Sequence, residues 1–198
     1  AGFEQIDPSK TERLLGLFDN DHMDWEADRL LEAPSKRQPS LSEMAVKGLQ
    51  ILRRNENGFV YMIEGGRIDH AHHDGNAYRA LTDTVALSDA VDAVLKELTP
   101  SERAETLIVV TADHSHVFNF GAYATRGNPI LGKVIQNDSS GNARSSLAKD
   151  QLGLPFTAAG YLNGPGFTRD SADPERPRPD LTDVDTTAMD YKQEATVP

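Results

Sequence analysis

Apolar side chains recur through residues 40–54 (SLSEMAVKGLQILRR) at Leu41, Met44, Leu49 and Leu52. That is helical spacing, opened by a serine suited to capping, Ser40 or Ser42. The polar run NENG stops the helix, with Gly58 in the terminating position. FVYMI, 59–63, is short, β-branched and aromatic, which predicts a buried strand ending at Glu64 and broken by Gly65 and Gly66. From Asn76 to Leu98 the helical pattern returns, through Ala77, Leu81, Val85, Val91, Leu95 and Leu98, and TPSER ends it. TLIVVTA, 106–112, is the clearest buried strand in the chain and ends at Asp113.

Strand, long helix, strand is a βαβ unit, so the two strands are predicted to lie parallel in one sheet. Ligands bind beyond the carboxyl ends of such strands, where Glu64 and Asp113 stand. The fold class expected is α/β. Residues 1–39 read as a connecting segment with short helical pieces, and 40–120 as the βαβ core. Residues 121–198 read as a loop-rich region of the same domain, with one strand near FTAAGYLNG and a solvated acidic loop over 169–190.

The bulk composition narrows the functions. A chain of 198 residues suffices for one full core. A net charge of -11 repels nucleic-acid backbones, so no nucleic-acid partner is expected. No apolar run approaches the roughly 20 residues of a membrane span. The start, AGFEQIDPSK, lacks the pattern of a signal peptide. With no cysteine, disulfides and thiolate metal sites are excluded, so any metal must be held by histidine and carboxylate.

Histidine is where the sequence becomes specific. Five of the six lie in EGGRIDHAHHDG (64–75) and TADHSHVF (111–118), and only His22 lies elsewhere. Asp69 and His73 are four apart and share a face if that stretch is helical. Asp113 and His114 are adjacent where the chain leaves a strand. Zinc accepts such ligands, whereas Glu64 suits magnesium. His116 is a candidate to orient a metal-bound carboxylate, and His70 to face a substrate phosphate. Arg67 reads as a surface charge, His72 as either an exposed or capping residue or a functional one, and Asp74 as a helix N-cap. Two ligands plus two ligands fall short of the three that a catalytic zinc wants. Ser115, between ligands, is poorly placed as a nucleophile. The pattern also admits a sulfatase- or phosphomutase-type metallohydrolase, or a metal-binding module without catalysis.

The stretches GFVYMIEGGRIDHAHHDGNAYRALTDTVALSDAV and LIVVTADHSHVFNFGAYATRGNPILG resemble the alkaline phosphatase family, from about LLGLFDNDHMDWE to the terminal QEATVP. The resemblance implies a three-layer α/β/α sandwich, here a partial sheet, and a phosphomonoesterase with two zinc ions and one magnesium. Asp69 and His73 would serve the first zinc, Asp113 and His114 the second, and Glu64 the magnesium. His116 matches a supporting residue and His70 one that faces phosphate. Phe18 and Asp19 match part of a calcium site whose other carboxylate is Gln38 here. The family's reaction is a double displacement through a serine. That serine, a bridging aspartate, a phosphate-binding arginine and a last zinc-binding histidine match no position of this chain. The resemblance therefore implies a C-terminal half that is inactive alone, needs its N-terminal half or a copy of itself, and comes from an exported parent.

Overall fold

The computed structural model describes residues 2–167 and 178–197. The chain divides into two compact units, residues 1–68 with 81–112, and residues 69–80 with 113–198.

The first unit is helical. α1 (Glu26–Leu31) is followed by α2 (Leu41–Leu52), which Ser40 opens with a full capping box. The Ser40 hydroxyl accepts from the Glu43 N–H, and the Glu43 carboxylate accepts from the Ser40 N–H at 2.7 Å. Of the two serines, Ser40 thus caps the helix, because only it has Glu three residues on. α2 ends at Leu52, and Gly58 instead closes a tight turn beyond it, at φ +79°, with its N–H on the Asn55 carbonyl. Tyr61 lies across α2 at Gly48, where a Cβ would stand 2.7 Å from the tyrosine Cζ, and its hydroxyl donates to the Met44 carbonyl. α3 (Arg67–His73) belongs to the second unit from Asp69 on, α4 (Ala77–Glu97) to the first from Leu81 on, and Thr99 caps α5 (Pro100–Glu105) with a second capping box. Arg53 ties the end of α2 to Glu97 at 3.2 Å and to Glu102 at 3.3 Å.

The two strands expected from 59–63 and 106–112 are not strands of any sheet among the described residues. Tyr61 and Ile63 turn inward while Val60 is 97% and Leu107 87% exposed. Apolar, β-branched composition signals that a segment suits burial in a sheet; it does not supply the ladder partner that makes it a strand. Among the described residues the βαβ unit is therefore absent as a paired unit. The α4 helix between the two segments forms as expected.

The second unit holds a mixed three-stranded sheet, β1 (Phe118–Phe120), β2 (Ala159–Asn163) and β3 (Ala195–Val197), in the order β1-β2-β3. β1 runs antiparallel to β2, with Phe118 opposite Tyr161, and β2 runs parallel to β3. Val134, Ala148 and Ala158 form a small core with Ala122, Ala124 and Phe156 around it. The solvated loop expected over 169–190 lies partly outside the described residues. Its described end is not solvated throughout: Leu181 and Thr186 are buried, and Lys133 Nζ donates to the carbonyls of Leu181, Thr182 and Val184. Short polar sequence hid this order, because it comes from a lysine about fifty positions away reaching backbone oxygens.

Candidate metal-binding site

The site begins with how α3 ends. Gly75 adopts φ +65°, its N–H reaches the His72 carbonyl at 3.0 Å, and the next N–H, Asn76, reaches the Ala71 carbonyl at 2.9 Å. This pair of bonds is the Schellman cap, and a Cβ-bearing residue is strained at the Gly75 backbone angle. α3 is thereby stopped just after His73. Asn76, not Asp74, then caps α4: its Oδ1 accepts from the Arg79 N–H at 2.9 Å, while Asp74 pairs with Lys192 at 3.4 Å. The buried Gln193 seals the junction, accepting from the Ala77 N–H at 2.7 Å and donating its own N–H to the Gly75 carbonyl at 2.9 Å.

On α3 the four-residue spacing brings Asp69 Oδ2 to 3.5 Å from His73 Nε2. The arm leading into β1 brings the rest. His116 Nε2 lies 2.7 Å from Asp69 Oδ1, a hydrogen bond in which the imidazole N–H donates. His114 Nε2 lies 3.9 Å from the same Oδ1 and 3.3 Å from Asp113 Oδ2. His73, His114 and His116 therefore gather around the Asp69 carboxylate, and Asp113 pairs with His114. Asp69, His73 and His116 offer ligand atoms within 4.8 Å of one another, a group able to hold a metal ion.

The electrostatics follow from this crowding. Partial burial pushes the Asp69 carboxyl upward, but the His116 hydrogen bond and the charges of His73, His116 and His114 outweigh it and hold it below the usual carboxylate range. His116 is only 16% exposed, whereas the His73 and Asp113 side chains face solvent. His72 is not an exposed or capping residue. It is half-buried beside Tyr161, and that burial, with the neighbouring His116, pushes its pKa down. His70 is half-buried on α3, next to Asp69.

Glu64 belongs to the first unit. It lines a cleft of about 110 Å³ with Asp24, Glu26, Arg67 and Asp83. Asp83 is the perturbed group there: burial raises its pKa to about 6, against the hydrogen bond it accepts from the Glu26 N–H at 3.1 Å. Arg67 is more than a surface charge, since its guanidinium lies 3.9 Å over the Trp25 ring. Gln38 sits against Asp19. Its Nε2 donates to Asp19 Oδ2 at 2.8 Å, and its Oε1 accepts from the Asp24 N–H at 2.9 Å.

One family covers nearly the whole chain, both histidine clusters included: the alkaline phosphatase profile matches residues 3–198. The chain belongs to the alkaline phosphatase family. Its relatives bear the same name. It is 41% identical over 193 residues to the human tissue-nonspecific alkaline phosphatase, covering 98% of this chain and 33% of the relative. Against the Gadus morhua alkaline phosphatase it is 38% identical, over 98% of this chain and 36% of the relative. The Bombyx mori membrane-bound alkaline phosphatase is 36% identical, over 98% of this chain and 32% of its own length. The chain thus spans about a third of the relatives it matches. No helix among the described residues is long and apolar enough to cross a membrane.

Sequence reasoning passed over Tyr161 and Phe118, which pack against the His72 ring beside these residues. A tyrosine inside a strand pattern reads as packing, and nothing local in the sequence sets it apart.

Proposed function

We propose that this chain supplies metal ligands to the zinc and magnesium centre of a phosphomonoester hydrolase of the alkaline phosphatase family, and that it is inactive alone. Two donor pairs carry the reading. Ligands about 2.0–2.1 Å from a tetrahedral zinc stand about 3.3 Å apart. Asp69 with His73, at 3.5 Å, and Asp113 with His114, at 3.3 Å, match that separation. His116 Nε2, at 2.7 Å from Asp69 Oδ1, fits a hydrogen-bond donor that orients the carboxylate while Oδ2 faces His73. Zinc held by these pairs would polarise a phosphate oxygen and the oxygen that attacks it.

The chain's own residues hold and aim. The hydrogen bond from His116 favours the charged form of the Asp69 carboxyl, the form that ligates a metal. Glu64, in an oxygen-rich cleft, suits magnesium. His70 is assigned to the substrate phosphate by family resemblance. A calcium ion at Phe18 and Asp19 is not part of the proposal, because the Gln38 amide already occupies the Asp19 carboxylate.

Each zinc has two ligands here, and the remaining ligands and the serine nucleophile are assigned to the part of the relatives' length outside the match. The exposed apolar runs 59–63 and 106–112 would enter a larger sheet with that part or with a second copy, which would complete the three-layer α/β/α sandwich. Export of the parent enzyme is proposed on the family alone. The test is zinc per chain after dialysis, in the wild type and in Asp69→Ala/His73→Ala. The expected result is about two zinc ions falling by one in the variant. Equal zinc in both overturns the ligand assignment, and phosphomonoesterase turnover by the wild-type chain alone overturns its inactivity.

A further inference from the structure

We propose that Tyr161 and His72 are positioning residues that fix the His116 imidazole, and through it the Asp69 carboxylate, in metal-binding geometry. The inference rests on the metal-site reading above. Its basis is a continuous set of contacts within one unit. Tyr161 Oη stands 2.9 Å from His72 Nδ1. The His72 ring stacks on the His116 ring, centroids 4.8 Å apart and planes inclined by 26°. His116 Nε2 then reaches Asp69 Oδ1 at 2.7 Å.

The far end of this relay is rigid. Tyr161 is 2% exposed in the central strand of the sheet. Its cross-strand partner Phe118 packs 5.3 Å from its ring and 5.3 Å from the His72 ring. His72 is thus held from two sides. With the tyrosine hydroxyl donating to Nδ1, the His72 proton sits on Nε2, and the ring plane is fixed about both contacts. His116 then has one flat wall to lie against, which restricts its rotation about the bond that points Nε2 at Asp69. Without that wall His116 keeps its partner but loses its orientation, and Asp69 is less well aimed at the ion.

Neither residue touches the reacting atoms in this arrangement. The effect on metal affinity is therefore smaller than removal of a direct partner, which costs 10–100-fold: about three- to tenfold.

The test uses the full chain. Long-range proton–nitrogen correlation spectra at pH 8 report the His72 tautomer without metal, with the signal assigned through His72→Gln. Zinc titration reports affinity. In the wild type His72 is expected to carry its proton on Nε2. Tyr161→Phe, which keeps the ring and deletes only the hydroxyl, is expected to lose that fixed tautomer and to weaken zinc binding by about three- to tenfold, with an unchanged circular dichroism spectrum. A wild-type His72 protonated on Nδ1, or a Tyr161→Phe chain that binds zinc as tightly as wild type, overturns the relay. No zinc binding by either chain overturns the metal-site reading, and this inference with it, even if the tautomer is as expected.

Discussion

Asp83→Asn is predicted to stabilise the chain near neutral pH and to remove a stability gain on mild acidification. Asp83 sits on α4 with its Oδ2 on the Glu26 N–H at the start of α1, and burial raises its pKa from 3.8 to about 6. The folded chain therefore binds this proton at higher pH than the unfolded chain. Stability attributable to Asp83 grows as pH falls from about 7 through 6 to about 4, the reverse of an ion-paired carboxylate. A shift of about 2 units corresponds to about 3 kcal/mol. The side chain is partly open to water, and screening reduces this to about 1–2 kcal/mol. Asparagine keeps an oxygen for the Glu26 N–H and carries no charge, so the variant should gain that amount at pH 7.5 and nothing at pH 4. For a chain of this size the gain is a rise of about 2–8 °C in Tm. Thermal unfolding of both proteins from pH 4 to 8 measures it. A difference between them that does not change with pH would refute the argument.

Three further outcomes follow from single contacts. Gly166→Ala places a Cβ 2.7 Å from the Gln193 carbonyl carbon and 3.4 Å from the Glu194 Cα. Backbone faces backbone there, so Tm should fall by about 6 °C or more, from about 3 kcal/mol of overpacking; a fall under 2 °C would show that the segments part easily. Ser40→Ala removes the α2 cap and should cost about 1 kcal/mol in denaturant unfolding, with Ser40→Asp close to wild type. Gln38→Asp turns the amide that donates to Asp19 into a second carboxylate, so Tm should drop and millimolar calcium should restore it. If calcium leaves the variant's Tm unchanged, the two carboxylates do not converge.

Local physics in the sequence settled α2 and α4, and put Asp69 and His73 on one face on the condition that their stretch is helical, which α3 meets. Ser40 with Glu43 opens a helix by itself, apolar residues at helical spacing carry α4, and Gly75 after two histidines stops α3 wherever it lies. Asp69 and His73 then share a face by geometry alone. The sequence also placed a strand near 156–164, and β2 is there.

Other features depended on partners distant in the chain. FVYMI and TLIVVTA have the composition of buried strands, but a strand exists only with a ladder neighbour, and among the described residues neither has one. Tyr161 joins the site because the β1–β2 register sets it opposite Phe118 and against His72, a relation across 89 positions. The 2.7 Å contact between His116 and Asp69 joins residues 47 positions apart, which no local pattern displays. Periodicity and capping act over one or two turns of chain, so a sequence displays them directly. Ladder pairing, ring stacking and donor separation arise only when distant segments meet, and the tertiary structure alone decides them.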